Sequence, residues 1–131
     1  MNIVIMGCNG IAVNVAEKMA KKDHKITIID AQPDNFLIIE ETENITTIIG
    51  DGTISNELEG AGIIESDIFL ALEPSDNRNI LAAQKVKSLY NPKTILCLVS
   101  DPKKDGIFRK LGLNVISTTS LISDIVLDSI R

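Results

Sequence analysis

A chain of 131 residues with 44% hydrophobic side chains is long enough to bury one core, so a single globular domain is expected over residues 1–131. Its formal net charge of −5 and scattered acidic residues exclude a nucleic-acid binder that relies on clustered Lys and Arg. Cys8 and Cys97 lie far apart and the chain has one histidine, which excludes a zinc site or disulfide framework as the organising principle, and no apolar run approaches the roughly 18–20 residues that span a bilayer.

The N-terminal run from Asn2 to Met6 reads as a strand rather than a signal peptide, because no basic segment precedes it and it ends in the polar turn Gly7-Cys8-Asn9-Gly10. A helix to about Lys22 follows, with Ile11, Val15 and Met19 as its expected buried stripe. Lys25 to Asp30 is a second strand. Pro33 then opens a short helix carrying Phe36, Leu37 and Glu40. Thr46 to Ile49 is a third strand, stopped by Gly50-Asp51-Gly52-Thr53, and Thr53 or Ser55 is expected to cap a helix ending near Gly60-Ala61-Gly62. Asp67 to Leu72 is nearly all apolar, as a strand covered on both faces should be. After Glu73-Pro74, Ser75 caps a long helix to about Tyr90, with Ile80, Ala83, Val86 and Leu89 turned inward. Thr94 to Val99 is a fifth strand, Lys103 to Leu111 a helix and Asn114 to Ile116 a sixth strand. A last helix runs from about Thr119 to Arg131, with an apolar face of Leu121, Ile122, Ile125, Val126 and Ile130.

Strands alternating with helices predict a Rossmann-like, doubly wound α/β fold. Its six-stranded sheet is mostly parallel, with helices on both faces and ligands at the strands' carboxyl ends.

The sharpest local signal is the strand–turn–helix at Gly7, Cys8, Asn9, Gly10, Ile11 and Ala12. A dinucleotide fingerprint has Gly, Gly and Gly or Ala at the positions of Gly7, Asn9 and Ala12. Gly7 suits the tight turn and Ala12 the close packing of helix on strand. Asn9 stands where a side chain obstructs a pyrophosphate, although Asn tolerates the left-handed backbone the turn could require. The helix start still offers N–H groups to an anion, so the segment is either a phosphate cradle or a plain tight turn.

Asp30 closes the second strand where a carboxylate accepts hydrogen bonds from both ribose hydroxyls and repels a 2′-phosphate, favouring NAD or an adenosine nucleotide over NADP. Asp51 and Gly52 lie at the same edge, beside the expected adenine position. Glu73, Ser75 and Asn79 leave the fourth strand opposite the glycine turn. Glu73 and Asp76 disfavour phosphate there unless Arg78 compensates. Cys8 occupies a turn position that can be exposed, Cys97 reads as core, and His24 as a surface loop residue. The sequence carries no Ser/His/Asp arrangement and no Tyr-x-x-x-Lys pair, so catalytic and metal-ligating residues are both expected to be none.

Three ordered segments resemble the N-terminal nucleotide-binding domain of TrkA-type potassium-uptake regulators, the RCK or KTN family. They are Gly50-Asp51-Gly52-Thr53 with Leu58 to Asp67, then Ala71 to Ala83, and Asp101-Pro102 with Phe108 to Gly112 and Val115 to Ser117. The resemblance implies a regulatory domain, not an enzyme. It would bind NAD(H) or an adenine nucleotide (ATP, ADP or AMP) at the cytoplasmic face of a membrane-embedded potassium channel or transporter, as a homodimer or ring and without entering the membrane itself. By position, Gly7, Asn9, Gly10 and Ala12 would line phosphates and Asp30 would hold a ribose. Asp51 and Gly52 would flank adenine, with Glu73, Ser75 and Asn79 facing the rest of the ligand. The final helix would cross to a partner subunit.

Several positions depart from the family pattern. Asn9 replaces the middle glycine, Gly10 stands where many members carry a basic residue, and Glu73 replaces a small hydroxyl residue. Leu98-Val99-Ser100 replaces Arg-Val-Arg, and the family's C-terminal lobe has no counterpart in these residues. Each substitution removes phosphate-friendly character, which predicts weakened or altered nucleotide binding. A degenerate dimerisation scaffold and a small NAD-dependent oxidoreductase are the alternatives.

Overall fold

Alternation along the first strand decides how the layers form. In β1 (Asn2–Met6), Ile3 and Ile5 point to one face and Val4 and Met6 to the other, and all four are essentially inaccessible. A strand buried on both sides needs helices above and below. The computed structural model, which describes residues 1–130, shows that arrangement. The other strands are β2 (Lys25–Asp30), β3 (Ile45–Ile49), β4 (Ile68–Ala71), β5 (Thr94–Val99) and β6 (Asn114–Ser117). They line up in the order β3-β2-β1-β4-β5-β6, and every pairing is parallel. The winding reverses between β1 and β4, which opens a crevice at their carboxyl ends.

One face is covered by α1 (Gly10–Ala20), whose Ala12, Val13 and Ala16 pack on Ile3, Ile5, Ile26 and Ile28. The other carries α2 (Ser55–Gly60), α3 (Asp76–Leu89) and α4 (Pro102–Lys110). Their Leu58, Ala82, Ala83, Val86 and Phe108 close over Val4, Met6, Phe69, Cys97 and Val99. The last helix is α5 (Thr118–Ser129).

Several expectations need correction. The buried stripe of α1 is Ala12, Val13 and Ala16. Val15 and Met19 are half-buried and Ile11 is exposed, because small residues let the helix sit close on the sheet. Pro33 opens a short helix as expected, a 3₁₀ helix over Pro33–Ile38, but Leu37 is exposed and Glu40 lies beyond its end. Neither Thr53 nor Ser55 caps α2; its cap residue is Ile54, and the Thr53 hydroxyl donates to Asp51 instead. Leu89 is exposed on α3, where Ala82 and Asn79 take the inward positions.

The α1 side of the sheet is only half covered. Over β4, β5 and β6 lies an apolar groove of about 370 Å³, bounded by Leu72, Leu96, Leu98, Ile116, Leu121 and Ile122. The expected apolar face of α5 points to solvent, with Leu121, Ile122, Ile125, Val126, Leu127 and Ile130 each at least half exposed.

Gly7 makes the turn at the crevice with φ +101°, a conformation that L side chains rarely adopt. A Cβ there would also stand 3.0 Å from the Glu73 backbone nitrogen. A Cβ on Gly10 would meet open space. Gly7→Ala is therefore expected to cost about 1–3 kcal/mol, whereas Gly10→Ala should stay within about 0.5 kcal/mol of the parent. Urea unfolding of the two variants side by side checks the contrast.

Candidate functional site

Polar side chains hold the loops at the crevice in place. Asp30 ends β2 with 7% exposure, and its carboxylate accepts from the Cys8 N–H at 2.8 Å and the Gln32 N–H at 2.8 Å. The Asn35 amide donates to both of its oxygens at 3.0 Å. Asp30 thus ties the end of β2 to the turn after β1. Cys8 is buried under this turn, contrary to the expectation that it can be exposed; burial, with the Asp30 charge beside it, pushes its thiol pKa up. Cys97 is core, as expected, and burial raises its thiol to about 11.

Asn9 adopts an extended backbone, φ −151°, so the left-handed residue of the turn is Gly7 and not Asn9. Its side-chain oxygen caps α1 by accepting from the Ala12 N–H at 3.1 Å, and its amide donates to the Leu72 carbonyl at 2.8 Å. The cap occupies one donor that a phosphate would use. The Gly10 and Ile11 N–H groups, in the first helical turn, keep no intrahelical acceptor.

Across the switch point, Asn79 does not face the cleft. It is fully buried; its amide donates to the Glu73 and Leu98 carbonyls and its oxygen accepts from the Glu73 N–H. Ser75 caps α3 by accepting from the Arg78 N–H. Asp76 is buried and accepts from the Ser100 and Asp101 N–H groups, and it also borders the crevice beside Asn9 and Gly10. Burial opposes its ionisation, but those hydrogen bonds hold its pKa below the ordinary value. Gly52 packs against the Met6 side chain, leaving no room for a Cβ.

Arg78, noted in the sequence only as a compensating charge, is central to the geometry. Its Nε donates to Glu73 at 2.6 Å and its terminal nitrogen to Asp51 at 2.7 Å, joining the loops after β3 and β4. No spacing rule pairs these residues; only the fold brings Asp51 within reach. The Arg78 bond, supported by the Thr53 hydroxyl and N–H, holds the Asp51 carboxyl at about pKa 2.

Two basins result. One, of about 420 Å³, lies against Asn9, Gly10, Ile11, Leu98, Ser100 and Thr118. The other, of about 380 Å³, is walled by Asp30, Gln32, Asn35, Asp51 and Arg78. Glu73 and Pro74 border both, so the two form one cleft across the switch point. The second basin sets three carboxylates against one guanidinium. It suits hydroxyl and amine donors, while the helix end at the first is better placed for anions.

Asp51 also sets a pH dependence. Its depressed pKa adds stability that is fully present above about pH 4 and is lost as the pH falls towards 2. Replacing Arg78 with Met removes the main cause, so the acid loss of urea stability between about pH 4 and pH 2 should be shallower in Arg78→Met than in the parent.

The sequence signature of the TrkA-N domain matches residues 3–119. The Trk system potassium uptake protein TrkA of Streptomyces coelicolor is 28% identical over 124 residues, covering 95% of this chain and 56% of that protein. The TrkA homolog of Pyrococcus abyssi is 37% identical over 112 residues, covering 85% of this chain and 49% of that protein. The chain thus spans about half the length of these relatives. Among solved structures, the TrkA-N domain of the Escherichia coli inner membrane protein ybaL superposes with a TM-score of 0.86 at 11% identity, covering 99% of this chain and 96% of that one. The GsuK channel bound to NAD gives 0.75 at 24% identity, over 88% of this chain and 21% of that one. These superpositions support the Rossmann-like fold, and the match over residues 3–119 places the chain in the TrkA-N family.

Proposed function

We propose that this domain is a nucleotide-sensing regulator of a potassium transport system, binding NAD(H) or an adenine nucleotide in the cleft between β1 and β4. The observation that carries the reading is Asp30, a carboxylate fixed at the carboxyl end of β2 beside the 380 Å³ basin, where a ribose diol is held in this fold. Adenine would lie beside the Asp51–Arg78 ion pair in the second basin, and phosphates would extend towards the Gly10 and Ile11 N–H groups. Glu73 and Asp51 pair with Arg78 and Asp30 with backbone donors, an arrangement suited to binding more than to acid–base catalysis. The TrkA relatives are potassium uptake proteins by name, and the similar GsuK channel is seen with NAD, which favours a role in potassium transport over an oxidoreductase.

The Asn9 cap and the acidic second basin favour ligands with few phosphates, so AMP, ADP and NAD should bind better than ATP or NADP. In thermal-shift and calorimetric titrations the first three are expected to raise the melting temperature, by about 2.7 kcal/mol of stabilisation at 100 times Kd. Asn9→Gly, which frees the Ala12 N–H, should tighten ADP and NAD severalfold and cost a few tenths of a kcal/mol in stability. The absence of any nucleotide effect in either protein would leave the scaffold as the better reading.

The second half of the proposal is assembly. The exposed face of α5 and the uncovered groove are both apolar, and burying an Ile or Leu gains about 1.5–3 kcal/mol. Thr118 borders the cleft and also begins α5, and the Thr119 hydroxyl donates to the Ser100 carbonyl, so ligand and α5 share a wall. A homodimer docking on the cytoplasmic face of a transporter is the expected form. Light scattering should give a dimer mass for the parent and a monomer mass for Ile125→Asp.

A further inference from the structure

We propose that Asn35 is an internal occupant of the ribose position, so that a diol-bearing ligand binds by exchanging with its amide at Asp30. The inference rests on the nucleotide reading above and adds the residue that sets affinity at that site.

A carboxylate offers about four lone-pair positions. At Asp30, Oδ1 accepts from the Gln32 N–H and the Asn35 amide, and Oδ2 accepts from the Cys8 N–H and the same Asn35 nitrogen. The acceptor capacity is full. The Asn35 nitrogen is equidistant from the two oxygens, at 3.0 Å from each, where the two hydroxyls of a ribose would donate. A diol therefore enters only if one of the present donors leaves.

The donors differ in how readily they leave. The Cys8 N–H belongs to the turn that Gly7 closes, with the Gly7 N–H bonded to the Ile29 carbonyl. The Gln32 N–H follows directly from the strand. Asn35 is an exposed residue of the 3₁₀ helix Pro33–Ile38, a segment whose six residues are all at least partly exposed. Its amide can turn into water by side-chain rotation alone. It keeps the buried carboxylate satisfied while no ligand is bound, and it weakens ribose binding by the strength of the bond that must be exchanged. Asn35 also borders the same basin as Arg78, so the released amide stays beside the ligand.

The test compares AMP with 2′,3′-dideoxy-AMP by calorimetry on the parent and on Asn35→Ala. Removing the competing amide should tighten AMP about tenfold, equivalent to about 1.4 kcal/mol, and leave dideoxy-AMP unchanged. In the parent protein, the Asn35 side-chain NH₂ resonances should shift on adding AMP but not dideoxy-AMP, a readout that needs no variant. Weaker or unchanged AMP binding in Asn35→Ala, an equal gain for both ligands, or NH₂ resonances indifferent to AMP would overturn the proposal. Parent binding without a gain in the variant overturns only the role of Asn35. Silence of both proteins towards AMP and NAD overturns the nucleotide reading, and this inference with it.

Discussion

A carboxylate that is 7% exposed must find donors within the protein, and this requirement organises the cleft. Asp30 takes the Cys8 N–H, and that bond joins the ends of two neighbouring strands across the turn closed by Gly7. Gly7 holds a positive φ, and the Glu73 backbone lies where a side chain would project, so both the turn and the close approach call for glycine. Glu73 is in turn placed by Asn79, which grips both its N–H and its carbonyl. A single buried carboxylate thus starts a chain of polar and packing contacts that runs from β2 through the β1 turn to the start of α3.

The same contacts explain why the family pattern is altered without loss of the fold. Asn9 costs a phosphate donor but replaces it with a cap and a bond to Leu72, so the turn remains ordered by its own side chain. Glu73 brings a negative charge to the switch point, and Arg78 neutralises it while reaching Asp51. Each departure is matched by a partner on another loop. The loops around the cleft are therefore held by the protein's own side chains.

The six strands, to within a residue at their ends, and the parallel, doubly wound class of the sheet were legible because runs of apolar strand residues and Gly, Pro and Ser punctuation are local signals, whereas the strand order is not. Ser75 capped α3 as its position indicates. What escaped the sequence depends on contacts between distant residues. Asn79 belongs to the family pattern, yet whether it faces a ligand or the backbone follows from how β4 and β5 sit side by side. Asn35 is five residues beyond Asp30, but the 3₁₀ geometry that returns its amide to the carboxylate is not encoded in spacing alone. The α1 stripe was misjudged because large apolar residues at helical spacing suggest burial, whereas close approach to the sheet selects alanines. Leu121, Ile122 and Ile125 were read correctly as one apolar face; which surface that face meets is not a local property.

That last face has a thermodynamic consequence. A helix of twelve residues is marginal alone in water, and α5 is tied to the body mainly at its start, through the Thr118 and Thr119 hydroxyls on Val99 and Ser100. No residue of the helix is buried by the domain that carries it. In the proposed dimer, secondary structure at the end of the chain and association of chains would become a single equilibrium, in which diluting the protein would act on this helix as warming does.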